Sequence, residues 1–268
     1  MIMFRAKLNK MSKTNNSLLC VGLDPDLDKI PDKFKSNLDP IFSFNKFIIE
    51  QTHDLVCAYK PNIAFYEAYG IDGLKSLKKT MEYLKEKYTE IPIILDAKRG
   101  DIGNTAERYA KAIFEYWQAD ATTVFPHLGK DSVLPYLKYK YKCTILLIKT
   151  SNPDSEVFQN LKVQPNNEPH YLTMAREISK WKFGNIGLMV GATYPEELGV
   201  IRKLFPNSPI LAPGIGAQSG QAEKAVKAGI DKKRVNLICN SSRDVIYSKN
   251  PRQKAIETRD MLNKFRSK

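Results

Sequence analysis

The chain lacks paired cysteines, a hydrophobic leader and any apolar run long enough to cross a bilayer. Residues 1–16 are basic and have no apolar core of the kind a secretory signal needs. No apolar run approaches the roughly 20 residues of a membrane span. The cysteines lie in or beside apolar runs and form no Cys-x-x-Cys pair, at Cys20, Cys57, Cys143 and Cys239. We therefore expect buried, reduced thiols in a cytoplasmic protein, with no metal cluster and no membrane contact.

Acidic residues are scarce relative to basic ones. The chain has 29 Asp and Glu against 42 Lys and Arg, which gives a formal net charge of +13. The lysines are spread over most of the predicted helices, and there is no basic-aromatic ribbon or RNA-binding signature. This distribution favours a protein that attracts anionic ligands such as phosphorylated metabolites. A basic, non-catalytic nucleic-acid binder is the alternative from another functional class, although we predict no nucleic-acid partner.

Short apolar runs alternate with helical patterns along the whole chain. Eight runs are predicted as strands, over residues 18–23, 57–60, 91–95, 119–125, 143–148, 186–190, 210–212 and 235–239. Continuous apolar runs are typical of strands buried on both faces. Eight β/α units in about 250 residues predict an α/β protein with a (β/α)8 TIM barrel. An open doubly wound sheet is the alternative, but the Gly-Ile-Gly at 214–216 lacks the full dinucleotide fingerprint.

The domain organisation predicted from the sequence is simple. No linker or change in composition divides the 268 residues, so we expect one domain with an N-terminal extension over residues 1–16. The polar segment 149–168 is predicted as a long connection. Connections of more than about 12–15 residues are uncommon and often serve as lids.

The charged residues after the third run form an acid-base-acid series. Asp96, Lys98 and Asp101 lie within six residues, and alternate side chains of a strand share a face. A lysine held between two carboxylates is favoured in its charged form. Such a lysine suits a fixed cation and proton donor better than a Schiff-base nucleophile. The structural alternative is a solvent-exposed ion pair, worth about 0–1 kcal/mol, with Asp101 as a helix N-cap.

Polar residues also follow most of the other predicted strands. The residues after each strand of a TIM barrel gather at one face, where active sites are built. Here they are Asp24, Lys60, Asn62, Asp96, Lys98, Ser151, Gln218 and Arg243. The loops after the last two strands often bind phosphate in this fold. One of them holds Gly214 and Gly216, and the other ends in Arg243. Turn chemistry or a surface position could explain each separately, but their coincidence favours a phosphate site.

The sequence DAKRGDIGNT at 96–105 resembles the DxKxxDIGxT signature of the orotidine 5′-phosphate decarboxylase family. The resemblance covers residues 18–247 and includes VGLD at 21–24, YKPN at 59–62, KTSNP at 149–153 and the segments 212–218 and 240–243. It implies a TIM barrel that converts orotidine 5′-monophosphate to UMP and CO₂, the last step of UMP biosynthesis. It implies no cofactor and no metal.

The resemblance also implies roles for single residues. The charged tetrad would consist of Lys60, Asp96, Lys98 and Asp101. Lys98 would protonate the carbanion at pyrimidine C6, and Asp96 would lie near the departing carboxylate. Asp101 and Thr105 would enter the neighbouring subunit's site, so that activity would need a homodimer. Among the substrate-binding residues, Asp24 and Asn62 would lie near the ribose and Ser151 at the pyrimidine edge. Gln218 and Arg243 would bind the phosphate, with Gly216 and Ala217 closing over it. Pro213 would also belong to the substrate-binding residues.

Other phosphosugar enzymes on the same scaffold remain as alternatives. A Mg²⁺-dependent relative would be expected to carry an acidic residue after the second strand, where this chain has Lys60. A Schiff-base aldolase would need a lysine with a depressed pKa, and the charged neighbours of Lys98 argue against one. Both arguments favour the decarboxylase.

Overall fold

Eight of the apolar runs form the parallel strands of a barrel, with helices between them. The computed structural model describes residues 3–215 and 219–266. Its strands are β1 (Leu19–Leu23), β2 (Ala58–Pro61), β3 (Ile94–Arg99), β4 (Ala121–Val124), β5 (Cys143–Lys149), β6 (Lys162–Val163), β7 (Glu168–Pro169), β8 (Ile186–Val190), β9 (Ile210–Pro213) and β10 (Leu237–Ser241). β6 and β7 form a separate antiparallel pair, and the other eight form the barrel sheet.

The helices follow the predicted pattern along most of the chain. They are α1 (Phe4–Thr14), α2 (Asp32–Lys35), α3 (Pro40–Thr52), α4 (Ala64–Glu67), α5 (Gly70–Lys87), α6 (Gly103–Lys111), α7 (Lys130–Leu137), α8 (Ser155–Gln159), α9 (His170–Ser179), α10 (Pro195–Leu204), α11 (Ser219–Gly229), α12 (Arg243–Ile246) and α13 (Pro251–Arg266). A π-helical turn, Ala112–Tyr116, continues α6. Among the residues described, no helix is both long and apolar enough to cross a membrane.

The barrel closes where β2 meets β3. The sheet runs in the order β2-β1-β10-β9-β8-β5-β4-β3, and two isolated parallel bridges join its ends, Tyr59 to Ile93 and Asn62 to Asp96. The backbone N–H of Ile63 donates to the carbonyl of Asp96 at 3.2 Å. The TIM barrel prediction is confirmed, and the closure places the end of β2, with Lys60, beside Asp96.

The described part of the predicted N-terminal extension, from residue 3 onward, packs against the barrel as helix α1. Helix α1 buries Phe4 and Leu8 in the cluster that fills the barrel interior, together with Ile94, Ile145 and Leu211. Its first backbone N–H, that of Phe4, donates to the carbonyl of Tyr141, just before β5. The helix therefore covers the end of the barrel where the strands begin. The sequence signal for this buried helix was the four-residue spacing of the apolar residues Phe4 and Leu8 within a basic segment.

The segment 149–168 also contains more structure than its polar composition predicted. It holds helix α8, strand β6 and the first residue of β7. Lys149 is fully buried, donates to Asn160 Oδ1 at 3.0 Å and lies 4.5 Å from the centroid of the Tyr194 ring. The backbone N–H of Thr150 donates to Gln159 Oε1 at 2.9 Å. Side-chain contacts with the end of β5 therefore hold α8 in place.

Replacing Leu8 with Ala should lower the free energy of unfolding by about 2–5 kcal/mol, because it leaves a cavity among the interior residues. Urea unfolding followed by circular dichroism measures this. Lys13→Ala is the control, since Lys13 lies on the exposed side of the same helix. Equal unfolding midpoints for the two variants would contradict the burial of Leu8 in the barrel.

Candidate active site

Asp96 and Lys98 lie inside strand β3, and Asp101 follows its end. The predicted strand ended at Leu95, whereas β3 continues to Arg99. Its pairing with β4 changes register between Leu95 and Arg99. Within this irregular stretch Lys98 has φ +43°, in the left-handed region, and its Nζ lies 2.7 Å from Asp96 Oδ1. The expected approach of Asp96 and Lys98 is therefore observed, through a bulged backbone.

The carboxylate of Asp96 is buried and fully engaged. It is 4% exposed. Its Oδ2 accepts a hydrogen bond from Lys60 Nζ at 3.0 Å, and its Oδ1 accepts one from Lys98 Nζ at 2.7 Å. The hydroxyl of Thr123 donates to Oδ1 at 2.8 Å. Burial alone would raise the pKa of Asp96, but the ammonium groups of Lys60 and Lys98 outweigh it and hold this pKa well below its usual range. Asp96 is therefore a fixed anion at neutral pH.

The two lysines differ in exposure. The side chain of Lys60 is 4% exposed and that of Lys98 is 40% exposed. Burial would lower the pKa of Lys60, but the carboxylates of Asp24 and Asp96 reverse that effect and raise it. Lys60 is thus a buried cation. Lys98 carries the more exposed ammonium of the two.

The ends of β1 and β2 join the same cluster. Asp24 is buried, and its Oδ1 accepts the backbone N–H of Asn62 at 3.2 Å. Gly22 allows the loop after β10 to approach, because a Cβ there would lie 1.8 Å from Ser242 Oγ. Asp24, Lys60, Asn62, Asp96 and Lys98 are therefore brought together, as the strand-end pattern predicted.

A cleft of about 510 Å³ lies beside this cluster, between Asp24 and the loops after β9 and β10. Its lining includes Asp24, Phe65, Gly214, Asn240, Ser242 and Arg243. Arg243 is exposed, and it forms no ion pair with any residue in the described ranges. The cleft thus offers an exposed guanidinium where the sequence predicted a phosphate site, and the carboxylate-bearing residues Asp24 and Asp244 also line it.

Ser151 and Pro213 are neighbours of Gly214, which lines the cleft. A Cβ on Gly214 would be 3.5 Å from the Cβ of Ser151, and one on Gly191 would be 2.8 Å from its Cα. Pro213 ends β9 and is half-buried. The predicted residues Gly216, Ala217 and Gln218 lie outside the described residues.

Asp101 and Thr105 are not brought into the cluster. Between residues 3 and 215, Asp101 forms no ion pair, and its Oδ1 accepts the backbone N–H of Ile102 at 2.8 Å. The alternative that Asp101 caps α6 is wrong, since the N-cap residue is Ile102. Ile102 is 57% exposed, and Thr105 is exposed too. The DIGNT segment therefore faces outward from its own chain.

Thr123 was missed by the sequence analysis. It lies in the fourth apolar run, where a threonine is an ordinary β-branched strand residue. The available signal was the pair Thr122-Thr123 in a strand expected to be buried, because buried hydroxyls need hydrogen-bond partners.

Comparison with known proteins agrees with this geometry. Residues 17–258 match the family described as orotidine 5′-phosphate decarboxylase / HUMPS. The chain belongs to this family. It is 50% identical over 243 residues to an orotidine 5′-phosphate decarboxylase of Christiangramia forsetii, covering 90% of this chain and 88% of that protein. It is 46% identical over 272 residues to the one of Dechloromonas aromatica, covering 98% of this chain and 99% of that protein.

Solved structures in the family share the whole fold. The structure of Leishmania donovani OMP decarboxylase superimposes with a TM-score of 0.87 at 35% identity, covering 100% of both chains. A putative orotidine-monophosphate-decarboxylase from Toxoplasma gondii superimposes with a TM-score of 0.90 at 35% identity, covering 99% of this chain and 96% of that one. The family that the DIGNT segment indicated is thus confirmed, and the similarity extends over nearly the entire barrel.

Replacing Lys60 with Met should lower the free energy of unfolding at neutral pH by about 3–5 kcal/mol, because it leaves Asp24 and Asp96 buried without this cation. Asp96 has a depressed folded pKa, so its stabilising contribution is present above the unfolded value of about 3.9 and is lost as the pH falls through the folded pKa. The stability difference between wild type and Lys60→Met should therefore narrow in acid.

Urea unfolding at a series of pH values from neutral into acid measures this difference. Lys75→Met is the matched control, since Lys75 pairs with Asp72 at 3.1 Å on the surface, where a pair is worth about 0–1 kcal/mol. A Lys60→Met difference that stays constant as the pH falls would show that Lys60 does not depress the pKa of Asp96.

Proposed function

We propose that this protein catalyses the decarboxylation of orotidine 5′-monophosphate to UMP and CO₂, the last step of UMP biosynthesis. The observation that carries the proposal is the accessible ammonium of Lys98, held by the buried carboxylate of Asp96 beside a cleft that ends in Arg243. This arrangement pairs a fixed proton donor with a place for a phosphate. The names of the relatives, decarboxylases at 50% and 46% identity, support the same activity.

The chemistry follows from the charges of the array. Breaking the bond between C6 and the carboxylate releases CO₂ and leaves an electron pair on C6. The ammonium of Lys98 would stabilise this pair by a preorganised positive charge and then transfer a proton to it. The neutral amine would regain its proton from solvent. Asp96 would face the substrate carboxylate, and the buried Lys60 would keep the array in place and contact the ribose.

The remaining predicted residues would hold the substrate. Asp24 and Asn62, which contact each other, would bind the ribose. Ser151, beside Gly214, would contact the pyrimidine edge. Arg243 would bind the phosphate through charge-assisted hydrogen bonds. The same proposal includes Pro213, and it includes Gly216, Ala217 and Gln218, which lie outside the described residues.

We also propose a homodimer with shared active sites. Asp101 and Thr105 face outward from their own barrel, and the neighbouring Ile102 is an exposed apolar side chain. A second copy would bury this segment and receive Asp101 in its site. The barrel would act as one domain. A cytoplasmic location is supported by the four cysteines, all buried and free.

A direct assay tests the proposed reaction. The purified protein should cause the ultraviolet absorbance of orotidine 5′-monophosphate to decline as UMP appears. Lys98→Ala should abolish turnover while UMP still binds, because the proposed ribose and phosphate contacts remain. No absorbance change with the wild-type protein would refute the decarboxylase function.

Activity should survive extensive treatment with EDTA. Among the described residues, no three His, Cys, Asp or Glu side chains converge in a way that could hold a metal ion. The lysines of the array would also repel a divalent cation. A reproducible loss of activity that Mg²⁺ restores would instead favour a metal-dependent phosphosugar enzyme on this scaffold.

Arg243→Ala should lower kcat/KM by about 10- to 100-fold, the size expected for a charge-assisted contact. Phosphate binding at a distance from C6 can stabilise the transition state as well as the bound substrate. The effect should nearly vanish with a substrate that lacks the phosphate. Lys249→Ala is the control, an exposed cation close by in the sequence. Equal losses with both substrates would rule out the phosphate role.

The shared site predicts complementation between inactive variants. Lys98→Ala and Asp101→Ala should each be nearly inactive as homodimers. A mixed dimer would have one site with both lesions and one with neither. Random re-association of equal amounts should therefore restore roughly a quarter of wild-type activity. If mass-tagged subunits exchange and no activity returns, Asp101 acts within its own chain.

A further inference from the structure

Thr123 lies at the point where β3 and β4 lose their regular pairing. The two strands pair at Leu95 with Thr122 and again at Arg99 with Val124. Residues 96–98 of β3 therefore face the single residue Thr123 of β4. A bulge of this kind removes backbone partners from the longer strand. The backbone N–H of Lys98 is then without its regular partner on β4 and needs another hydrogen-bond acceptor.

The hydroxyl of Thr123 forms two hydrogen bonds, one with the backbone of Lys98 and one with the carboxylate of Asp96. Its Oγ1 accepts the backbone N–H of Lys98 at 2.9 Å and donates to Asp96 Oδ1 at 2.8 Å. The same Oδ1 receives the ammonium of Lys98 at 2.7 Å. One hydroxyl therefore holds both the backbone of Lys98 and the carboxylate that orients its ammonium.

The backbone of Lys98 needs such a support. Its φ of +43° lies in the left-handed region, which is unfavourable for a residue with a Cβ and persists only where the surroundings impose it. The side chain of Thr123 is fully buried, so water cannot replace its hydroxyl. Without that hydroxyl, the backbone of Lys98 could relax and move the ammonium away from its position beside Asp96.

We propose that Thr123 is a positioning residue for the reaction, acting through Lys98 and Asp96 without touching the substrate. The kinetic consequences of this proposal rest on the decarboxylase function proposed above. Its structural part, that the hydroxyl fixes the backbone of Lys98, stands without that function.

The chain offers a matched control beside it. Thr122 is equally buried and on the same strand, but its hydroxyl donates to the carbonyl of Leu95 at 2.9 Å and does not reach the array. Val has nearly the shape of Thr and lacks the hydroxyl, so Thr123→Val and Thr122→Val each remove one buried hydroxyl. Thr123→Ser keeps the hydroxyl and loses only a methyl group.

Kinetics on orotidine 5′-monophosphate should separate the three variants. Thr123→Val should lower kcat by about 10- to 100-fold, as expected for loss of a hydrogen bond to a charged group. UMP affinity should change little, because the proposed ribose and phosphate contacts remain. Thr123→Ser should recover most of the loss, and Thr122→Val should keep kcat near that of wild type. Equal kcat values for the two valine variants would overturn the positioning role.

Hydrogen exchange at the Lys98 amide gives a readout that does not depend on activity. The amide should exchange faster in Thr123→Val than in wild type and remain protected in Thr122→Val and Thr123→Ser. Unchanged protection in Thr123→Val would refute the proposal. If the wild-type protein does not decarboxylate the substrate while the exchange pattern is as expected, the proposed function fails and the positioning of Lys98 by Thr123 stands.

Discussion

The structure depends on one buried carboxylate that binds two ammonium groups. One carboxylate oxygen of Asp96 pairs with Lys60 and the other with Lys98. Moving such charges out of water is costly, and a buried ion pair is often no more stable than an apolar replacement. The array is therefore better understood as a device for holding charge in a fixed place than as a source of stability. It leaves the ammonium of Lys98 accessible while Lys60 stays inside.

The barrel supplies the geometry that makes this array feasible. Lys60 and Asp96 belong to strands at the two ends of the sheet. They meet because the sheet closes there, with an isolated bridge between Asn62 and Asp96. Helix α1 fills the opposite end with Phe4 and Leu8. One end of the barrel is thus apolar packing, and the other carries the charges. This division lets the charged end carry strained backbone, because the interior residues hold the strands in place.

Charge also explains how an anionic substrate would be handled. The chain carries a formal net charge of +13, yet the proposed reaction centre is balanced by carboxylates. Arg243 supplies an exposed cation in the cleft, away from the buried array. Phosphate binding and charge stabilisation at C6 would then be performed by separate groups. Binding energy from the phosphate can in that case serve the chemical step without any cation in the array beyond Lys60 and Lys98.

The sequence by itself determined the number of barrel strands, the alternation that specifies the barrel, and the nearness of Asp96 and Lys98 along one strand. Periodicity and strand-end position are local properties, so they can be inferred from neighbouring residues. The closure of β2 on β3, the burial of α1 and the hydrogen bonds of Thr123 were decided only by the tertiary structure. Each is a contact between segments far apart in the chain, and neither residue type nor spacing within one segment specifies it. The bulge in β3 shows why, since the backbone N–H of Lys98, a residue in the left-handed region, donates to a hydroxyl on a different strand.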